Sequence, residues 1–294
     1  MAIPNSQLDT WSKQGSITQS ASTYASVKSA LESANSLYKD KSFEVFLQGS
    51  YGNDTNIYAE SDVDVVIMLD SVFRGDIDSL SNEEKEAYHN LPNATYDVKD
   101  FKKHVLIRLE TAFGKENVVE GKKAIKIKPN QSRRSADVVV AHEHRRYHSW
   151  PHGYTSGIVF STQSGGEIIN FPKKHSENCT AKHQGTNSNF KPMVRIFKNI
   201  RSKLVEDEKI AKDIAPSYFI EGLLHNVPPN LFTGTYEDMV VNVLNWFHNM
   251  SDRTNLVCAN GQYYLLRDAS SVCWPSANAE KFISEAIKLW NNWE

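Results

Sequence analysis

LQGSYGNDTNIYAESDVDVVIML, residues 47–69, strings together a Gly-Ser turn, a polar loop and an Asp-x-Asp pair that opens the apolar run Val65–Leu69. An apolar run without alternation predicts a strand buried on both faces. Side chains two apart on a strand project to the same side, so Asp62 and Asp64 would present two carboxylates from one face. Two like charges held this close call for a cation between them. The polar loop ahead of the pair is where a ligand is expected.

The flanking segments extend this reading. Upstream, FEVFLQGS (43–50) is a short apolar strand ending at Gly49-Ser50. Before it, Ala21, Tyr24, Val27, Leu31, Ala34 and Tyr38 recur at helical spacing and predict a long amphipathic helix. Downstream, Phe101, Val105, Leu109 and Phe113 fall every four residues, with Gly114 as the helix stop. KKAIKIKP (122–129) alternates as a strand, and SADVVVAHE (135–143) is a further apolar strand with Asp137 at its start.

Asp137 beside Asp62 and Asp64 would complete a three-carboxylate cluster. Such hard oxygen donors suit Mg²⁺ or Mn²⁺, ions that also bridge phosphates. In a two-metal site the ions lie roughly 4 Å apart, one activating the attacking hydroxyl and one stabilising the leaving oxygen, which is the chemistry of phosphoryl or nucleotidyl transfer. Glycine at 49 lets backbone approach a phosphate, and Ser50 offers a hydroxyl and an amide at an expected helix start, where anions are favoured. A triphosphate tail is expected there, with Gln48, Gly49 and Ser50 as substrate-binding residues. Taken singly, a Gly-Ser turn or an Asp-x-Asp is an ordinary turn or strand cap. The ordered combination is what carries the reading.

After Trp150 the composition shifts. PHGYTSG (151–157) through QGTNS (184–188) is loop-rich, and FKPMVRIFKNIRSKL (190–204) restores helical spacing at Met193, Ile196, Phe197, Ile200 and Leu204. PSYFIEGLL (216–224), YEDMVVNVLNWF (236–247) and AEKFISEAIKLW (279–290) continue in helices. The expected architecture is α+β: a mixed-sheet catalytic core over 1–154, with the long N-terminal helix, and a helical nucleotide-binding domain over 155–294. The active-site cleft is expected between them.

The 294 residues carry 33 Lys+Arg against 35 Asp+Glu, a formal net charge of −2. That balance argues against coating long nucleic acid. Lys102–Arg146 nevertheless holds 12 Lys/Arg against 5 Asp/Glu, a local excess suited to small anionic ligands. Three cysteines are too few for a disulfide framework and point to a reducing, cytoplasmic setting. No export leader or membrane span is expected. Histidines gather in HEHRRYH (His142, His144, His148, with Glu143) and HSENCTAKH (His175, His183, with Cys179). Neither has the paired spacing of a closed zinc site, so surface histidines and a buried cysteine are expected.

The pattern GSYGNDTNIYAESDVDVV with ADVVV resembles that of the polymerase-beta-like nucleotidyltransferase superfamily. FKPMVRIFKNIR and APSYFIEGLLHNVP further resemble the helical domain of the bacterial cGAS/DncV-like nucleotidyltransferases (CD-NTases), and the likeness spans most of the chain. It implies a Mg²⁺- or Mn²⁺-dependent enzyme holding two ions on Asp62, Asp64 and Asp137, with Asp137 near the attacking ribose hydroxyl. It also implies that Lys198 and Ser217 reach the triphosphate, that Tyr218 stacks on a base, and that Asn170 reads a base edge. Lys191 and Lys203 share the helix of Lys198 as alternatives. The expected substrates are nucleoside triphosphates, ATP with UTP or GTP. The expected product is a cyclic di- or trinucleotide second messenger of anti-phage signalling, made by a monomer and answered by a separate effector. A nucleotidyltransferase acting on RNA or a small acceptor, and a non-catalytic nucleotide-binding module, remain as alternatives.

Overall fold

The computed structural model describes residues 2–15, 17–58, 62–268, 270 and 272–293. The last three residues of the polar loop, 59–61, lie outside the described residues. The chain divides into two compact units.

The first unit, residues 17–49 and 62–173 of those described, is built on a mixed seven-stranded sheet. Its strands are β1 (Phe43–Leu47), β2 (Val63–Asp76), β3 (Val118–Glu120), β4 (Ile125–Ile127), β5 (Ala136–Ser149), β6 (Gly153–Ser161) and β7 (Glu167–Asn170), with the path β1-β2-β5-β4-β3 and β6 and β7 added beyond β5. β2 and β5 run parallel, and all the other pairs are antiparallel. Val63 and Val65–Leu69 are all buried, as the unbroken apolar run predicts. α2 (Thr18–Leu31) and α5 (Val98–Phe113) pack on this sheet. Asp97 caps the start of α5, and Gly114 ends it at φ +87°, a conformation open to glycine.

Three expectations are corrected here. The first helix stops at Leu31 and does not reach Tyr38, because Ser33, Asn35 and Ser36 favour local turns. Tyr38 is still fully buried, its hydroxyl donating to Leu31 O at 2.8 Å. The stretch 151–188 is not mainly loop: it forms β6, β7 and α6 (Pro172–Gln184). The sheet therefore continues to Asn170, and the units part at Lys173/Lys174 instead of residue 155.

The second unit, residues 2–15, 50–58 and 174–293 of those described, is helical. α7 (Phe190–Glu206) is its central element, burying Phe190, Met193, Val194, Ile196, Phe197, Ile200 and Leu204. α1 (Asn5–Ser12), α8 (Ser217–Asn226), α9 (Tyr236–Asn249) and α10 (Ser276–Asn291) surround it. Each large apolar side chain so buried contributes roughly 1.5–3 kcal/mol. Thr235 and Asp238 form a capping box at the start of α9, fixing where it begins. Among the described residues no helix is long and apolar enough to cross a membrane.

Candidate active site

The parallel pairing of β2 and β5 sets Asp64 directly opposite Asp137. In-register neighbours of a sheet point to the same face, so these two carboxylates share it. Asp62, just ahead of β2, is exposed, while Asp64 is half-buried. From the neighbouring antiparallel strand, Lys126 stands in register with Asp137. Its ammonium lies 3.6 Å from Asp62 Oδ2 and 3.9 Å from Asp137 Oδ1, so one cation already gathers two of the three carboxylates. Burial pushes the Asp137 carboxyl up from its ordinary pKa; Lys126 opposes this and Asp62 adds to it. Asp137 Oδ1 is buried and accepts no hydrogen bond from the described residues. An all-carboxylate donor set with an unsatisfied buried oxygen fits a hard divalent cation.

Gly49 stands against this cluster. Its φ is +68°, and a Cβ placed there would come within 2.3 Å of Asp64 Oδ2, so both conformation and space demand glycine. The backbone N–H of Gln48 donates to Asp64 O at 3.0 Å, tying the turn to β2. A single helical turn, α3 (Gly49–Gly52), follows and carries Ser50. Thr55 N–H closes the turn onto Ser50 O at 2.9 Å.

The remaining sequence candidates fall as follows. Asn170 ends β7 opposite Ile158 and accepts from Phe171 N–H at 2.8 Å. Ser217 is the first residue of α8, after Pro216. Tyr218 follows it, stacked on the His175 ring at 5.0 Å and 27°, its hydroxyl accepting from Asn260 at 2.9 Å. Lys198, expected to reach a triphosphate, is fully buried because its position on α7 faces the core, and its ammonium donates to Thr55 O at 3.0 Å. Of the alternatives, Lys191 pairs with Asp54 at 2.9 Å and Lys203 with Asp207 at 2.8 Å.

The histidine expectation is corrected in part. His144 and His175 are buried, not surface residues, whereas His148 is exposed and Cys179 is buried as expected. Burial and the neighbouring Arg146 hold His144 down to about 4. His175 (α6), Lys198 (α7) and Glu221 (α8) meet around one carboxylate, with Asn53 and Thr55 of the loop. Sequence reasoning passed over Glu221, Asn53, Thr55 and Lys126. The only signal was a glutamate inside the apolar helix PSYFIEGLLH, at a position that has no exposed face.

The mixed sheet with its carboxylates and the separate helical unit define a nucleotidyltransferase. Residues 27–148 match the nucleotidyltransferase domain family, and residues 177–291 match the cGAS/DncV-like nucleotidyltransferase C-terminal helical domain. The chain is 38% identical over 303 residues to the cyclic nucleotide synthase CdnE01 of Staphylococcus haemolyticus, covering 100% of both. It is 37% identical to the cyclic UMP-AMP synthase of Rhodothermus marinus, covering 100% of this chain and 99% of that protein. The solved structure of Rhodothermus marinus CdnE c-UMP-AMP synthase with Apcpp and Upnpp superposes with a TM-score of 0.90 at 37% identity, over 99% of this chain and 97% of that one. The Elizabethkingia meningoseptica CdnE structure with GTP and Apcpp gives 0.78 at 28% identity, over 98% of each. The chain belongs to the cGAS/DncV-like nucleotidyltransferases.

Proposed function

We propose that this enzyme joins nucleoside triphosphates into a cyclic di- or trinucleotide. In each step a ribose hydroxyl forms a bond to the α-phosphate of a second nucleotide, the α–β bridging bond breaks, the hydroxyl proton leaves and pyrophosphate departs. The observation that carries this reading is the register of Asp64 with Asp137, next to Asp62 and the Gly49-Ser50 turn. Asp62, Asp64 and Asp137 would hold the metal, and two Mg²⁺ or Mn²⁺ ions bound there would supply charge neutralisation at the phosphates and lower the pKa of the attacking hydroxyl. Burial raises the pKa of Asp137, and its proposed place is next to that hydroxyl. Gln48, Gly49 and Ser50 cradle the phosphates, with Ser217 reaching the same tail. Tyr218 offers a ring to one base, and Asn170 reads the edge of another. Catalysis is positioning and electrostatics.

ATP and UTP are the proposed substrate pair, with GTP as a further candidate. The support is the 37% identity to a cyclic UMP-AMP synthase whose relative structure carries analogues of those two nucleotides. The product serves as a second messenger in anti-phage defence, read by a separate effector, and the enzyme works as a cytoplasmic monomer. The test is incubation with all four labelled triphosphates and Mg²⁺ or Mn²⁺, then phosphatase and mass spectrometry. A phosphatase-resistant cyclic product containing A and U supports the reading. Extended RNA, or no consumption of nucleotide with either metal, overturns it.

A further inference from the structure

The buried cluster in the helical unit has no part in the chemistry so far, yet it brings a carboxylate, an ammonium and an imidazole together out of water. Glu221 is 3% exposed and Lys198 is fully buried. Glu221 Oε1 accepts from the Thr55 hydroxyl and lies 3.4 Å from Lys198 Nζ. Glu221 Oε2 accepts from Asn53 Nδ2 at 3.1 Å and His175 Nε2 at 2.7 Å. Burial alone would raise this carboxyl, but Lys198 and the His175 and Thr55 hydrogen bonds hold it down to about 2. His175, Cys179 and Glu221 present donor atoms within 4.8 Å of one another. A metal there is disfavoured, because all the acceptor sites of Glu221 are filled and Lys198 already balances its charge.

What the network grips is the loop that carries Ser50. Lys198 and Glu221 hold Thr55 from its carbonyl and its hydroxyl, and Glu221 holds Asn53. Thr55 in turn donates its N–H to Ser50 O at 2.9 Å. Arg195 bonds the carbonyl of Asp54, and Gly15 N–H bonds that of Asn56 at 3.0 Å. Four consecutive residues after the phosphate turn are thus clamped, the central clamp being ionic and out of water. One turn before Glu221 on α8 stands Tyr218, stacked on the same His175.

We propose that Glu221 is a positioning residue for nucleotide binding: through Thr55 it fixes the Ser50 turn that receives the triphosphate, and through His175 it backs the Tyr218 ring. This rests on the nucleotidyltransferase reading of Ser50. Glu221 is 3% exposed, so its effect reaches the nucleotide through the loop and the His175–Tyr218 stack.

The experiment compares the full chain with Thr55→Val, which keeps shape and loses the hydroxyl, and Thr55→Ser, which restores it. Binding of a non-hydrolysable ATP analogue with Mg²⁺ is measured by calorimetry, and KM and kcat by pyrophosphate release. The expected result is a Kd and KM raised about tenfold in Thr55→Val, about 1.4 kcal/mol, with recovery in Thr55→Ser. The kcat should change by less than about threefold, since the interaction concerns binding and not the transition state alone. Asn53→Ala, cutting the other oxygen, should weaken binding in the same direction and serves if Thr55→Val does not fold. Unaltered affinity in both variants overturns the proposal, as does a Thr55→Ser protein as weak as Thr55→Val. Wild-type protein that binds no analogue overturns the nucleotide reading itself and the positioning role with it; wild type that binds, with variants that bind equally, overturns the positioning role only.

Discussion

Replacing Gly49 by alanine tests the proposed link between the Gly49-Ser50 turn, as the phosphate cradle, and Asp64, as a metal ligand. The added methyl would sit 2.3 Å from Asp64 Oδ2 and 3.1 Å from its Cγ, where real carbon contacts begin at 3.0 Å. The carboxylate must therefore retreat by about 0.7 Å or more. Holding an L-residue at φ +68° adds roughly 1–2 kcal/mol of backbone strain. In a protein of this size that lowers Tm by only about 2–8 °C, so the fold survives. Catalysis is more sensitive, because a displacement near 1 Å of an aligned group costs on the order of 100-fold. Gly49→Ala should thus lose about 30- to 100-fold in kcat while circular dichroism stays native. Pyrophosphate release gives the rate, and Mn²⁺ titration by electron paramagnetic resonance reports whether Asp64 still serves as a ligand. A variant that turns over at more than half the wild-type rate would refute the claim that this glycine exists to admit Asp64.

Three further outcomes follow from the same geometry. Asp62→Asn with Asp64→Asn should abolish product and Mn²⁺ binding without altering the melting profile, and turnover in the double variant would sink the assignment. Lys126→Met removes a cation 3.6–3.9 Å from two carboxylates. A unit charge pair near 4 Å in water is worth about 1 kcal/mol, so Mn²⁺ should bind the nucleotide-free variant roughly fivefold more tightly; unchanged affinity would show that Lys126 does not compete. Acid should destabilise the protein in two ranges. His144 and His225 are each held down to about 4 by burial first, so the unfolded chain binds more protons below its ordinary value of 6.5, and stability falls from there toward pH 4. Glu221, held at about 2, adds a loss that begins below 4.5 and runs toward pH 2. Urea melts across pH should show Glu221→Gln with the flatter slope in the lower range, and parallel slopes would contradict the ionised network.

The parts of the fold legible in the sequence were those governed by local periodicity. Val65–Leu69 and Val138–Ala141 read as buried strands because nothing polar interrupts them, and α7 read as a helix because its apolar residues fall three and four apart. β6, β7 and α6 were missed for the opposite reason. GYTSGIVFS has polar residues and two glycines that mimic a loop, and its strand identity comes from pairing with β5 over Tyr154–Val159. α6 is PKKHSENCTAKHQ, polar nearly all round, and buries only His175 and Cys179. Tertiary pairing decided these segments against weak local preference.

The same distinction runs through the site. Asp62, Asp64 and Asp137 stand out as candidates because a carboxylate at the mouth of an apolar strand conflicts with its surroundings, and such conflicts point to chemistry. Lys126 hides in an alternating strand where every second residue is a lysine, Lys126 and Lys128, and only the register with Asp137 singles it out. Glu221 conflicts with its helix as sharply as the aspartates do with their strands. Its partners, however, lie 166 and 168 residues earlier, and no spacing rule joins Thr55 and Asn53 to α8. A buried charge in an apolar helix is therefore worth treating as a question about a distant partner before it is set aside as a flaw in the pattern. A glutamate there could not remain ionised alone, so its presence requires a cation and hydrogen-bond donors somewhere in the chain. Lys198, placed by family likeness on the phosphates and by the structure in the core, is that cation. Its buried ammonium, bonded to Thr55 O at 3.0 Å, ties the loop after Gly49-Ser50 to the core of the helical unit.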